Sequence, residues 1–324
     1  MHVKILGSAA GGGFPQWNCG CRNCSRLRAG TFPGKARSQA QVAVSGDGEH
    51  WFLLGTSPDL RYQIESSPVL HPKNGTRTTP IAGAVLAAAD VDHVLGLLML
   101  RELQPLRVYA TDSVTRILRE GNSMFGMLNR VPQQVEWTAI TPGEKFDLRT
   151  AGGESCGLRC ETFPLATHYP AYVGSEGGRL RAEEAVQGLI IESTGESSGK
   201  SVGKSVGESA GGKRLAFVPN VAAIDAPLLE KVAGAKLLLF DGTFWSDDEL
   251  VRTQGSGQTA RQMGHVPVSG SVGSLQQLSA VKCEQKMFIH INNTNPMLDE
   301  TSLEHRAIIE AGWSLAEDGW QAEL

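Results

Sequence analysis

The sequence predicts a layered α/β protein. Two observations carry this reading: short apolar runs of the length expected for buried strands, and helical spacing between them. A third observation points to a site. Ile81 to Ala87 runs into Asp90, Asp92 and His93, Lys236 to Phe240 runs into Asp241, and Met287 to Ile289 runs into His290. Ligands gather where the strands of helix-covered sheets end, so these distant residues are predicted to converge on one ion.

Taken in order, His2 to Leu6 reads as a strand that enters the loop Gly7 to Gly13. The loop reads as a plain turn, because a phosphate cradle would need Gly-Lys-Ser/Thr after it. Ala40 to Val44 and Trp51 to Leu54 flank Gly46-Asp47-Gly48 as a hairpin, and Gly55 to Asp59 breaks its second strand. After His93, the spacing of Val94, Leu97, Leu98 and Arg101 predicts a helix, which puts Asp92 and His93 where a strand turns into a helix. Strand then helix recurs at Arg107 to Ala110 before Asp112 to Arg119, and at Leu215 to Val218 before Asp225 to Ala233. Ser193 to Gly212 is almost entirely Ser, Gly, Glu, Lys and Val. Too few apolar groups are present for a core, and the segment reads as a surface insertion between two strands or a partner-binding loop.

With 324 residues the chain can bury a large core, as one big domain or two modest ones. A 41% hydrophobic and 20% charged composition fits a globular protein, and a net charge of -4 without a long basic run argues against nucleic-acid binding. No apolar stretch approaches the roughly 18 residues that span a bilayer, and Met1 to Gly13 does not read as a signal peptide. The 6 cysteines are too few for a disulfide scaffold in so long a chain. A cytoplasmic protein without membrane contact is expected.

Cys19, Cys21 and Cys24 form C-x-C-x-x-C, which lets three thiolates meet on one tetrahedral ion. Zinc is the expected occupant, since it favours sulfur and four closed positions. The fourth ligand comes from elsewhere, with His2, His305 and Asn293 as candidates. A redox role is disfavoured because Cys21 to Cys24 reads as part of a loop, not a helix start. Cys156, Cys160 and Cys283 are assigned nothing, and His50, His71 and His305 read as ordinary surface or core histidines.

Asp90-Val91-Asp92-His93 followed by Gly96, the Gly55-Thr56-Ser57-Pro58-Asp59 loop, Asp241-Gly242-Thr243, Gly264-His265 and Phe288-Ile289-His290 together resemble the metallo-β-lactamase superfamily. Ile5 to Gly13, Pro15-Gln16-Trp17-Asn18-Cys19 and the specific stretch His290-Ile291-Asn292-Asn293-Thr294-Asn295-Pro296 are similar to its B family of pyrroloquinoline quinone (PQQ) biosynthesis proteins. The similarity covers nearly the whole chain apart from the Ser/Gly insertion. It implies a single domain over residues 1–324, folded as a four-layer αββα sandwich with a metal cleft at one edge of the paired sheets. On the superfamily pattern His-x-His-x-Asp-His, the first His falls on Ala88 and the second on Asp90, while Asp92 and His93 match.

By the resemblance, Asp92, His93, Asp241 and His290 bind the cleft metal. Two imidazoles with carboxylates and open positions are closer to a non-haem Fe(II) site than to a closed zinc cage. The implied activity is Fe2+- and O2-dependent hydroxylation of the tyrosine-derived ring of a crosslinked Glu-Tyr precursor. His265 is a ligand or an acid/base group, and Asp90 a ligand or a residue that orients one. His168 lies near another superfamily ligand position, in a segment that departs from the pattern. Arg61 and Arg101 are candidates to meet an anionic substrate. A phosphodiesterase and a carrier of PQQ or its precursor are the alternatives, and the oligomeric state is left open, a homodimer included.

Overall fold

The central strands bury both faces. A computed structural model describes residues 1–173, 179–195 and 213–324. Among the described residues the strands form two sheets of seven. In chain order the first sheet takes β1 (His2–Gly7), β2 (Gln41–Ser45), β3 (Trp51–Leu54), β4 (Ile81–Val85), β5 (Leu106–Ala110) and β6 (Val135–Ala139). The second sheet takes β7 (Lys145–Arg149), β8 (Ser155–Ala166), β9 (Val186–Ser193), β10 (Arg214–Val218), β11 (Leu237–Asp241), β12 (Gln285–Ile289) and β13 (Ser314–Leu315), and β14 (Gln321–Glu323) returns to the first sheet beside β1. The helices are α1 (Arg22–Arg28), α2 (Leu60–Glu65), α3 (Val91–Val94), α4 (Asp112–Arg119), α5 (Ala226–Val232), α6 (Glu249–Gln254), α7 (Ser274–Gln277) and α8 (Leu303–Glu310).

The four-layer α/β sandwich follows from the side-chain alternation along single strands. On β11, Leu237 and Leu239 join Val3, Val44, Phe52 and Phe217 between the two sheets. Leu238 and Phe240 face the other way, against Leu228, Val232 and Ile308 of α5 and α8. On the outside of the first sheet, Leu53, Ala84 and Val108 pack on Leu60, Val94 and Val114 of α2, α3 and α4. A strand covered on both faces must be apolar at every position, which is why these runs are continuous. Each fully buried Leu or Phe contributes roughly 1.5–3 kcal/mol relative to exposure.

The predicted hairpin forms with Val42 opposite Leu54 and Ser45 opposite Trp51. The predicted helix after His93 is shorter: α3 ends at Val94, and Leu95–Leu100 is a 3-10 segment. Tertiary contact is the reason, since Thr56 N–H donates to the His93 carbonyl at 2.7 Å and Gly96 N–H to the Thr56 carbonyl at 2.9 Å. The Ser/Gly insertion read at 193–212 lies outside the described residues from 196 onward; Ser193 is the last residue of β9.

Candidate metal centre

Parallel pairing of β10, β11 and β12 brings the ends of β11 and β12 side by side, with Asp241 paired to Ile289. His290 follows directly, at a φ of 59°. Such a left-handed backbone is costly for a residue with a Cβ and is held by its surroundings. From the first sheet, the chain after β4 delivers Asp90, Asp92 and His93 at the start of α3. The residues drawn from these stretches form two groups that share His290: Asp92, His93 and His290, and Asp241, His265 and His290, each with donor atoms within 4.8 Å of one another.

The three imidazoles are nearly parallel. His290 lies 5.6 Å from His93 at 18° and 5.6 Å from His265 at 22°. His290 Nε2 is 3.2 Å from Asp92 Oδ2, and its Nδ1 is 2.9 Å from Thr243 Oγ1. Thr243 Oγ1 in turn donates to Asp241 Oδ1 at 2.6 Å. A hydroxyl has one proton, so the chain runs from His290 Nδ1–H to Thr243 Oγ1–H to Asp241, and Nε2 is the nitrogen offered to an ion.

Asp241 is fully buried, and both of its oxygens are already engaged. Oδ1 accepts from the Thr243 N–H at 2.9 Å as well as its hydroxyl; Oδ2 accepts from Val221 N–H at 2.9 Å and from His265 Nδ1 at 2.7 Å. In this arrangement Asp241 orients His265 and leaves Nε2 as its free nitrogen. Asp92, His93, His265 and His290 line the cleft, while Asp241, predicted as a ligand, belongs to the second donor group and has its oxygens in hydrogen bonds in this structure.

Electrostatics agree with a cation at this point. Burial raises the Asp92 carboxyl, but the His93 charge and the His290 hydrogen bond and charge outweigh it and hold Asp92 well below the usual carboxylate range. Asp241 also ends below that range, because His265, His290 and Thr243 overcome its burial. Burial presses His290 down, while Asp92, Asp241 and Asp90 raise it to a net upward shift. Asp90 goes the other way: burial and the neighbouring Asp92 charge push it up against the pull of His93, His168 and His290. Ionised carboxylates gathered around imidazoles suit a divalent cation that replaces the protons.

The cleft encloses about 330 Å³ and is lined by the ligand candidates together with Ala10, Gly11, Gly12, Gln16, Asn220 and Asn292, and by Phe244 and Met263. The loop Gly7 to Gly13, read from sequence as a plain turn, thus builds one wall. Gly11 lets Asp92 sit close to the loop: a Cβ would stand 3.1 Å from Asp92 Oδ2, tight enough that the carboxylate would have to shift by a few tenths of an ångström. His168 lines the cleft without joining either group of donors and fits because Gly264, at a φ of +81°, has no Cβ to place 2.5 Å from its Cε1. Arg61 and Arg101 do not line the cleft. Arg101 bonds the Leu98 carbonyl at 3.3 Å and lies 3.7 Å from Glu102.

The second predicted centre forms at the other end of the stretch that begins with His290. Cys19, Cys21 and Cys24 have sulfurs within 4.8 Å of one another. Asn293 Nδ2 lies 3.1, 3.6 and 3.3 Å from the sulfurs of Cys19, Cys21 and Cys24. Of the three candidate fourth ligands Asn293 alone reaches the sulfurs, and it meets them as a hydrogen-bond donor through Nδ2; His305 bonds the Met297 carbonyl at 2.9 Å, and His2 packs on Trp51. The expected loop around these cysteines is corrected by the structure. Cys21 caps α1 and accepts from the Cys24 N–H, so Cys24 lies within a helix. The Gly/Pro content before Cys19 hid a seven-residue helix whose first turn is stabilised by sulfur. Burial holds Cys24 up at about 12, and the charges of Cys21 and Cys19 add to that, whereas hydrogen bonds from Cys21, Cys24 and Asn293 bring Cys19 down against its burial. A cation held by the three sulfurs would offset this crowding, which is the chemistry of a zinc site.

Comparison with known proteins places this geometry. A beta-lactamase superfamily domain matches residues 50–291. Coenzyme PQQ synthesis protein B of Methylorubrum extorquens is 39% identical over 325 aligned positions that cover 100% of both chains. The chain belongs to the coenzyme PQQ synthesis protein B family. The Azotobacter vinelandii member is 38% identical, again over 100% of each chain. A crystal structure of Zn2+-bound PqqB from Methylobacterium extorquens superimposes with a TM-score of 0.87, 39% identity and full coverage of both chains. The family fold accounts for the paired mixed sheets, and its zinc-bound member agrees with a chain built to hold metal.

Several cleft residues were not singled out from sequence as functional. Thr243 lies inside the Asp-Gly-Thr motif, and its spacing from Asp241 carried the signal. Asn220 carried none, because a lone Asn after a strand is most often a turn residue. No described helix is long and apolar enough to cross a membrane.

Proposed function

We propose that this chain acts in PQQ biosynthesis as a metal-dependent oxygenase that hydroxylates the tyrosine-derived ring of a crosslinked Glu-Tyr precursor with O2. The observation that carries the proposal is an open cleft of imidazoles and carboxylates on a chain 39% identical, end to end, to coenzyme PQQ synthesis B proteins. Asp92, His93 and His290, with His265 beside them, would hold Fe(II), and the bound iron would supply the activation of O2. Thr243 and Asp241 keep His290 and His265 in the tautomers that offer Nε2. Phe244 and Met263 give a ring an apolar wall, and Asp90, raised toward its protonated form, stands at the cleft as a proton donor or acceptor.

A hydrolase reading has one observation in its favour, the two donor groups that share His290. Against it stands Ala88, at the position where dinuclear relatives supply an imidazole, since bridging hydroxide needs two well-bound metals. The test is anaerobic loading with Fe(II), then air, the crosslinked precursor and ascorbate, which supplies the two electrons that take the second oxygen atom to water for each hydroxyl added, with O2 uptake and product mass recorded. The proposal expects O2 consumption and a product heavier by oxygen atoms. Precursor binding without either supports a carrier, and robust cleavage of a chromogenic phosphodiester with added manganese or zinc supports a hydrolase.

A further inference from the structure

Asn220 follows β10 and lines the cleft, and it is only 9% exposed. Its Oδ1 is enclosed without a hydrogen-bond partner among the described residues. Among the described residues Nδ2 donates no hydrogen bond either, and it is not enclosed as Oδ1 is. Buried polar groups are nearly always satisfied, and an orphan needs an explanation. Its neighbour Val221 is fully committed, with its N–H on Asp241 and its carbonyl accepting from Val266 N–H at 2.7 Å. The backbone is thus pinned while the amide is left open.

The other cleft amides are engaged locally. Gln16 Nε2 donates to Asn18 at 2.9 Å, and Asn292 Nδ2 donates to Thr294 at 2.6 Å. Among the described residues no lysine or arginine lines the cleft, so a carboxylate entering it meets no protein cation. What the cleft does offer is the donor side of one unpaired amide, the apolar faces of Phe244 and Met263, and the metal-binding side chains. That combination fits the oxygen-bearing edge of an aromatic ring and leaves any carboxylates of the ligand outside.

We infer that Asn220 is the recognition residue of the cleft, donating its Nδ2–H to a ring oxygen of a molecule seated against Asp92, His93 and His290. The inference deepens the ring-oxidation reading and borrows from it the choice of probe, a catechol. The experiment uses the full chain loaded with zinc, which is redox-inert, and titrates 4-nitrocatechol by its visible absorbance. Asn220→Leu, close in shape and apolar, should weaken binding about tenfold, which is about 1.4 kcal/mol. It should do so with unchanged zinc content and a Tm no lower than that of the wild type, because an apolar isostere removes the unsatisfied Oδ1. Asn220→Ala should show the same loss of affinity and decides the matter if the leucine variant folds poorly.

Affinity within twofold of the wild type in the variants overturns the assignment. So does a loss that only tracks zinc content or a lowered Tm, and so does a wild type that does not bind the probe. The two readings separate cleanly. Weakened probe binding without any precursor hydroxylation by the iron-loaded wild type keeps Asn220 and sinks the oxygenase, while hydroxylation by the wild type together with unaffected probe binding in the variants does the reverse.

Discussion

Replacing Thr243 by valine removes one hydroxyl from the centre of the site and leaves the shape nearly intact. That hydroxyl lies 2.6 Å from Asp241 Oδ1 and 2.9 Å from both His290 Nδ1 and the His290 carbonyl. Asp241 keeps the Thr243 N–H, so the loss falls on His290: its Nδ1 is left without an acceptor inside a buried pocket, and nothing selects the tautomer that presents Nε2. Hydrogen bonds that orient a metal-binding histidine are typically worth 10–100-fold in metal affinity, about 1.4–2.8 kcal/mol. Leaving the buried ring nitrogen unpaired costs the fold about 1–3 kcal/mol as well. The measurement is a competition titration of zinc against a chromophoric chelator, which resolves the Cys-bound equivalent from the cleft equivalent, with thermal unfolding in parallel. Thr243→Val should weaken only the looser equivalent, and Thr243→Ser should restore most of the affinity. A valine variant whose cleft affinity stays within twofold of the wild type would refute the proton chain from His290 to Asp241.

Three further outcomes are expected. Asp92→Ala and His290→Ala should each retain one tightly held zinc per chain and lose the second, looser ion, whereas Cys24→Ala should do the opposite, as read by metal analysis after purification without chelators. Gly11→Ala places a methyl 3.1 Å from Asp92 Oδ2 and should weaken cleft metal binding several-fold while leaving the Cys-bound zinc in place; unchanged binding would show that the glycine wall can yield. Glu249, whose Oε2 accepts from Trp245 N–H at 2.6 Å, is raised by burial to about 7. A carboxyl raised on folding stabilises the fold below its unfolded pKa and loses that contribution as pH climbs to the folded value. Stability should therefore fall by on the order of 3 kcal/mol between about pH 4.5 and about pH 7, and Glu249→Gln should flatten that slope in urea midpoints measured across the range.

Much of the frame was legible in the residues. Continuous apolar runs such as Leu237 to Phe240 required strands buried on both faces, and their Asp and His endings marked the sheet edge where a site could form. The hairpin around Gly46-Asp47-Gly48 and the strand-to-helix turn at Asp92 and His93 were equally local. Less legible were the elements decided by contact between distant segments. The helix after His93 was cut short by Thr56, and the loop reading of the cysteines failed because a thiol took the capping role usually filled by Ser or Asp.

By itself, then, the sequence determined which residues could bind metal and on which strand ends they would stand, because alternation and burial are written in neighbouring residues. Only the tertiary structure decided how those residues divide their work. Parallel pairing of β11 with β12 put Asp241 behind His265 and His290, where both of its oxygens are taken, so it orients imidazoles that face the cleft. The same packing left the Asn220 amide without a partner among the described residues, brought Asn293 to the three sulfurs, and kept Arg61 and Arg101 out of the cleft. Hydrogen-bond saturation and access depend on three-dimensional neighbours, and no local pattern of residues encodes them.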